Sequence, residues 1–195
     1  MKRYEIINSL IVKNGYKSYL EIGLDNGLNF SKIKIVNKTS VDPALGQYSH
    51  AKPTYKLTSD DFFKQNKDNY DIIFIDGLHH SEQVYRDIKN SLEYLNNDGT
   101  IVCHDMSPTE EGQQIVPRKQ KVWTGDCWKA WVNIRIEQPY LDMFVVDSDW
   151  GVGVIKKSSA KDTFKTDLEV NFTNLDNNRS EWLNLISVEE LKERI

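Results

Sequence analysis

The chain has 195 residues, 39% of them hydrophobic and 28% charged, with a formal net charge of −4. That length suits one domain with a sizeable core, and the acidic balance gives no electrostatic reason to expect nucleic acid as the main partner. No apolar run approaches a membrane span, and the opening Met1–Ile7 stretch lacks a signal peptide's apolar core.

Tyr4, Ile7, Leu10 and Ile11 fall at helical spacing, and Gly15 offers a stop, so a helix is expected over residues 2–14. The short apolar run 18–22, carrying Glu21, reads as a buried strand. It runs into a tight turn, Gly23-Leu-Asp25-Asn-Gly27, where glycine lets a ligand approach the backbone. A short helix should follow from Gly27, with Leu28, Phe30 and Ile33 facing in. Residues 39–41 read as a second strand, closed by Asp42-Pro43, and the polar stretch 44–56 reads as a loop. Thr58-Ser59-Asp60-Asp61 looks like a strand end and helix cap, with Phe62 and Phe63 packing inward.

The run from Tyr70 to Ile75, ending in Asp76-Gly77, suits a central parallel strand buried on both faces. Val84, Ile88, Leu92 and Leu95 mark an amphipathic helix, 96–99 a turn, and 100–103 a further buried strand ending in His104-Asp105. Residues 106–124 form a long polar segment, of the kind that is usually functional or mobile. Gly125-Asp126 then looks like a cap for a helix carrying Trp128, Trp131, Val132 and Ile136. Residues 143–146 and 151–155 read as an antiparallel pair around Asp147-Ser-Asp149-Trp150. From Ser158 the chain turns polar, and Ser187-Val-Glu-Glu190 is a capping box for a short last helix. The alternation implies a doubly wound, mostly parallel α/β sheet with a C-terminal antiparallel strand pair. The expected layout is one domain over 1–157, with 158–195 as a polar extension packed on it.

A doubly wound sheet binds ligands at the carboxyl ends of its strands. Those ends carry Glu21 and Gly23, Asp42, Ser59 and Asp60, Asp76, and His104 with Asp105. Any one of them alone could be a strand terminus entering solvent; the set points to a site. Asp42 follows Gly23 at the interval expected of an acid that holds a ribose. The pattern Gly23-x-x-x-Gly27 lacks the middle glycine of a pyrophosphate binder. Asp25 would repel pyrophosphate, so Glu21 and Asp25 favour a sulfonium-type nucleoside over NAD.

The segment Glu21-Ile-Gly23-Leu-Asp25-Asn-Gly27 resembles the first motif of class I S-adenosylmethionine-dependent methyltransferases, with Asp25 in place of the family's central glycine. Val41-Asp42-Pro43 resembles the second-strand acid. Asp76-Gly77-Leu-His79-His80, followed by Tyr85 and Asp87 and then by His104-Asp105, is similar to the small O-methyltransferase branch of sugar and glycan type. The resemblance covers about residues 15–157 and implies a Rossmann-like fold. It implies that Glu21, Gly23 and Gly27 cradle the methionine and ribose of S-adenosylmethionine, that Asp42 binds the ribose hydroxyls, and that Ser59-Asp60 flank the adenine. Asp76 and Asp105 match positions where many relatives hold a divalent metal, Mg or Mn. His104 stands where some relatives have a second carboxylate, which makes it a third metal candidate.

Methyl transfer to a hydroxyl needs an aligned acceptor and a base. His79, His80 and His104 are three of the four histidines and cluster at two strand ends, so His80 or His104 is the expected base, with Asp105 beside them. His79, Asp126, Trp128 and Trp150 are the candidate acceptor contacts, since aromatics beside a carboxylate suit a sugar. For Asp126 and Trp128 a helix cap and a core tryptophan weigh equally; for Trp131 the core is the better reading. The Arg118–Lys121 run reads as a solvated loop or as a contact for a phosphate on the acceptor.

The expected function is O-methylation of a sugar, a glycan or a glycan precursor. The rivals are a metal-dependent O-methyltransferase of a catechol-like metabolite, a non-catalytic nucleoside-binding module, and an NAD oxidoreductase, disfavoured by the missing glycine. A second copy of the chain or a glycosyltransferase is the candidate macromolecular partner. Cys103 and Cys127 have no metal-type spacing, so reduced thiols and a cytoplasmic location are expected.

Overall fold

A computed structural model describes residues 1–43 and 51–195. In chain order the elements are α1 (Arg3–Asn14), β1 (Ser18–Ile22), α2 (Leu28–Lys32), β2 (Asn37–Val41), α3 (Ser59–Gln65), β3 (Tyr70–Ile75), α4 (Ser81–Glu93) and β4 (Leu95–Cys103). They continue with α5 (Glu111–Gln114), α6 (Cys127–Glu137), β5 (Leu141–Val146), β6 (Val152–Lys157), α7 (Phe172–Leu183), β7 (Leu185–Ile186) and α8 (Val188–Arg194).

The strands form one sheet in the order β2-β1-β3-β4-β6-β5-β7. Strands β2, β1, β3 and β4 run parallel; β6 is antiparallel to both β4 and β5. The chain leaves β1 towards β2 and returns on its other side at β3, so the switch in strand order lies between β1 and β3. Register decides what meets there. Ile22 pairs with Val41 and with Ile75, and Ile75 pairs with Cys103. Gly23, Asp42, Asp76 and His104 therefore leave the sheet side by side. Cys103 also pairs with Gly153, and Val146 with Val152, which brings the β5–β6 turn to the same edge.

Two apolar layers flank the sheet, as expected of strands buried on both faces. One packs Trp128, Trp131 and Trp182 against Ile73, Ile75 and Ile101; the other packs Ile6, Ile7 and Leu10 of α1 against Ile72, Phe74 and Val102. The C-cap Gly15 adopts φ 66, and Thr58 and Ser187 cap their helices through backbone N–H groups three residues on.

Several expectations are corrected. Leu28 is 60% exposed, and Asn29 takes the inward position on α2. Residues 96–99 lie within the span of β4 as a bulge: pairing with β3 steps from Tyr70–Leu95 to Ile72–Thr100, and Asn96 Nδ2 donates to Asp71 Oδ1 over 2.7 Å. The segment 106–124 contains α5. The C-terminal stretch keeps short helices, α7 being kinked at Asn178, and adds a strand, since β7 extends the sheet beside β5. Of the loop expected over 44–56, residues 44–50 lie outside the described part. Thr54 is tied to Ser40, its N–H donating to Ser40 Oγ over 3.0 Å.

Candidate active site

The turn after β1 is shaped by close approach. Gly23 has φ 89, and a Cβ there would lie 2.1 Å from the Asp76 carbonyl oxygen, where the ends of β1 and β3 touch. Asp42 closes the turn, Oδ2 accepting from Leu24 N over 2.8 Å and from Asp25 N over 3.2 Å. Asp25 takes a left-handed φ of 45, and Gly27, at φ 73, precedes α2. The result is a glycine cradle with an acid at its rim, at the switch point.

Glu21 lies under this turn, 1% exposed. The Tyr19 hydroxyl donates to Glu21 Oε2, as does Asn29 Nδ2 over 2.9 Å. Burial outweighs these bonds and raises the Glu21 carboxyl to about 7. The folded chain thus holds this proton more tightly than the unfolded chain. Its stabilisation is full below about pH 4.5 and is lost as pH rises to about 7. Glu21→Gln should remove that dependence. We expect it to be more stable than the parent at pH 8, by up to about 3 kcal/mol, and to bind the cofactor less well. Thermal melts at pH 5 and pH 8 check this; an equal difference between the two proteins at both pH values would contradict it.

The second half of the site is a cluster of acids and imidazoles. Asp76 Oδ1 lies 3.3 Å from His79 Nε2 and 3.4 Å from His104 Nδ1. Asp105 Oδ2 lies 3.3 Å from His79 Nδ1 and 3.2 Å from His104 Nδ1. Burial by itself would lower the pKa of both imidazoles. Asp76 and Asp105 outweigh it and raise both, with Asp149 adding to the effect at His104, which is held well above its ordinary value. Burial would raise Asp76, yet His104 and His79 hold its carboxyl below the usual range. Asp105 is at φ 63, and Asp149 and Trp150 are at φ 49 and 66. Strained backbone of this kind gathers at functional sites, and four of the five such non-glycine residues among those described stand at this edge of the sheet.

One ligand atom each from Asp76, His79 and Asp105 lie within 4.8 Å of one another. His79 Nδ1 and His104 Nδ1 are buried without a hydrogen-bond partner among the described residues, although carboxylate oxygens lie close by. Two carboxylate oxygens and one imidazole nitrogen converging in this way fit a divalent ion.

Side by side, the expected and observed placements differ in four respects. His79, expected at the acceptor, belongs to the metal-fitting set, while His104, expected in that set and as base, is 6% exposed beside Arg3 and Asp149. A histidine held protonated is a poor base. Trp128 is 0% exposed, its Nε1 donating to Gln114 and its ring against Trp182, so it is a core residue and not a stacking platform. Asp126 is bound inside the fold: Ser81 N and Ser81 Oγ donate to its carboxylate over 2.7 and 3.0 Å, tying α6 to the start of α4. Asp126→Ala should therefore lower the melting temperature through loss of a cap, about 1–2 kcal/mol, with the acceptor KM unchanged. A raised KM at unchanged stability would return Asp126 to the acceptor site.

Ser59 and Asp60 are tied to α4, both accepting from Gln83 Nε2, over 3.1 and 3.2 Å. His80 is half-buried, with its ring edge-on to Trp123 at 6.4 Å, and Trp150 is 42% exposed. Trp123 itself stacks on His79 at 5.2 Å. Gly125 lies against the backbone of that histidine: a Cβ there would come within 1.9 Å of the His79 carbonyl oxygen.

The comparisons with known proteins bear on this geometry. Residues 20–106 match a family model described as a methyltransferase domain, a stretch that includes Glu21, the glycine turn, Asp76 and Asp105. Over that stretch, a little under half of its length, the chain is similar to a methyltransferase domain. Among solved structures, the methyltransferase PaMTH1 of Podospora anserina, bound to SAH, is 14% identical with a TM-score of 0.57, covering 80% of this chain and 78% of that one. The O-methyltransferase TomG of Streptomyces achromogenes, in complex with SAM, is 9% identical at TM-score 0.58, covering 80% of each chain. An O-methyltransferase of Bacillus cereus, in complex with SAH, is 13% identical at TM-score 0.53, covering 78% of each. At these identities the likeness is one of fold, and the seven-stranded Rossmann-like sheet of this chain is that fold. No curated protein matches the chain.

Proposed function

We propose that the chain is an S-adenosylmethionine-dependent O-methyltransferase acting on a hydroxyl of a sugar, a glycan or a glycan precursor, with a divalent metal, Mn or Mg, at Asp76, His79 and Asp105. One observation carries it: strand register sets the glycine turn with Asp42 directly beside the Asp76–His79–Asp105 cluster. The cofactor chemistry fits the cradle, because only a glycine leaves room at position 23 and Asp42 stands at its rim. The mixed oxygen and nitrogen donors favour Mn over Mg, which prefers oxygen alone.

When bound, the sulfonium supplies an electrophilic methyl group, and the metal lowers the pKa of the acceptor hydroxyl. The protein's own residues do the rest. Gly23, Gly27 and Asp42 hold the cofactor, with Glu21 beneath them and Ser59-Asp60 beside the adenine. His80 takes the acceptor's proton on an imidazole nitrogen, because His104 is held protonated by its acids. Trp123 and Trp150 offer ring faces to a sugar near the acids, in place of Trp128. Cys103 and Cys127 are buried and unpaired, which suits a reducing cytoplasm. No described helix is long and apolar enough to cross a membrane.

The same cluster supports a second reading, since a metal held by Asp76 and Asp105 would chelate a catechol's vicinal oxygens as readily as a sugar diol. A labelled-methyl transfer assay tests both against sugars, glycans and catechols, with and without Mn. Label on a sugar, lost with chelator, is the expected result. Label on catechols alone would replace the sugar reading, and full turnover in chelator would remove the metal.

A further inference from the structure

Three carboxylates, Asp76, Asp105 and Asp149, surround His104, but only the first two also face His79. The third, Asp149, has a side chain 4% exposed and comes from the β5–β6 turn. Both of its oxygens are occupied by the start of α1. Lys2 Nζ lies 2.9 Å from Oδ1, and Arg3 N donates to Oδ2 over 3.0 Å, with Arg3 NH1 3.4 Å from the same oxygen. Arg3 NH1 also lies 3.3 Å from His104 Nε2. On its other edge the guanidinium meets the metal-fitting set itself: Arg3 Nε is 3.5 Å from Asp76 Oδ2, buried and otherwise without a hydrogen-bond partner among the described residues. Asp76 is thus split. One oxygen faces Arg3, and the other faces the imidazoles.

We propose that Arg3 is a positioning residue that sets the strength of the metal site, by holding one oxygen of Asp76 and neutralising Asp149 beside it, so that a divalent ion at Asp76, His79 and Asp105 meets less negative charge. The inference rests on the metal reading above. The affinity of a hard cation grows with the number of charged oxygens around it, and a fixed guanidinium beside the ligands opposes it further. Arg3 therefore keeps the ion weakly held and its positive charge little neutralised, which is what acidifying an acceptor hydroxyl requires. A guanidinium suits the task because it forks between two acids and stays charged.

The test is calorimetric titration of MnCl2 into the full chain, for the parent, Arg3→Gln, Arg3→Lys and the double variant Arg3→Gln/Asp149→Asn. Arg3→Gln should bind Mn about tenfold more tightly or better and turn over more slowly. Arg3→Lys should stay within about threefold of the parent. Removing Asp149 in the Arg3→Gln background should return the affinity towards the parent value. A merely structural arginine would give the opposite sign, because a loosened site binds metal less well. Unchanged SAH affinity serves as the folding control, and Arg3→Met replaces Arg3→Gln if the latter fails to fold. If the parent binds Mn and the uncharged variant binds it no more tightly, this inference falls and the metal site stands. If only the uncharged variant binds, Arg3 is confirmed as the restraint. If neither binds, both fall.

Discussion

Gly23→Ala is expected to abolish SAH binding and to lower stability by about 2–5 kcal/mol. The two effects share one cause. At φ 89 an alanine is strained wherever it sits, and here its Cβ would lie 2.1 Å from the Asp76 carbonyl oxygen and 2.5 Å from its carbonyl carbon. Backbone cannot step aside as a flexible side chain does. The strand ends must part, which breaks the register that sets Asp42 beside the turn and Asp76 beside Glu21. Denaturant unfolding and calorimetry with SAH check the two halves separately. A variant that binds SAH normally would show that the turn does not hold the cofactor.

Asp105→Asn should leave SAH affinity unchanged and reduce turnover about 10³-fold. A Lewis-acidic metal contributes several kcal/mol to the transition state, and each 1.4 kcal/mol is about tenfold in rate. The choice of asparagine matters. Asp105 has φ 63, and asparagine tolerates the left-handed region as aspartate does, so the backbone is not disturbed. What changes is the charge that faces His79 Nδ1 and His104 Nδ1 at 3.3 and 3.2 Å. Added Mn should recover part of the rate, since the loss lies in holding the ion. Turnover within tenfold of the parent, with Mn absent, would remove Asp105 from the reaction.

Much of this was legible in the sequence because it is local. An apolar run ending in an acid followed by glycine marks a buried strand entering a ligand turn, and β1 and β3 stand where those runs lie. The cluster of Asp76, His79, His104 and Asp105 follows from two such strand ends being neighbours. Trp128 could have been assigned to the core. It lies three residues before Trp131 on the same helical stripe, and that spacing puts both on the buried face. Residues 96–99 read as a turn because they are polar, but the edge they occupy is wet and Asp71 satisfies Asn96. Arg3 gives no local signal at all. It reaches the site only because α1 packs across the sheet with its first turn beside the β5–β6 hairpin, a tertiary placement that helical periodicity does not encode. Asp149 is intermediate. Its turn was visible, but not that Asp149 would be held by α1.

Calorimetry of the full chain with SAH, followed by transfer of labelled methyl from S-adenosylmethionine to a sugar panel with Mn, tests the central claim most directly. The account predicts one SAH bound per chain, binding lost in Gly23→Ala, and label on a sugar hydroxyl that disappears with chelator and is reduced in Asp105→Asn. A chain that binds no SAH, or that binds it and transfers no methyl to any oxygen acceptor, would contradict it.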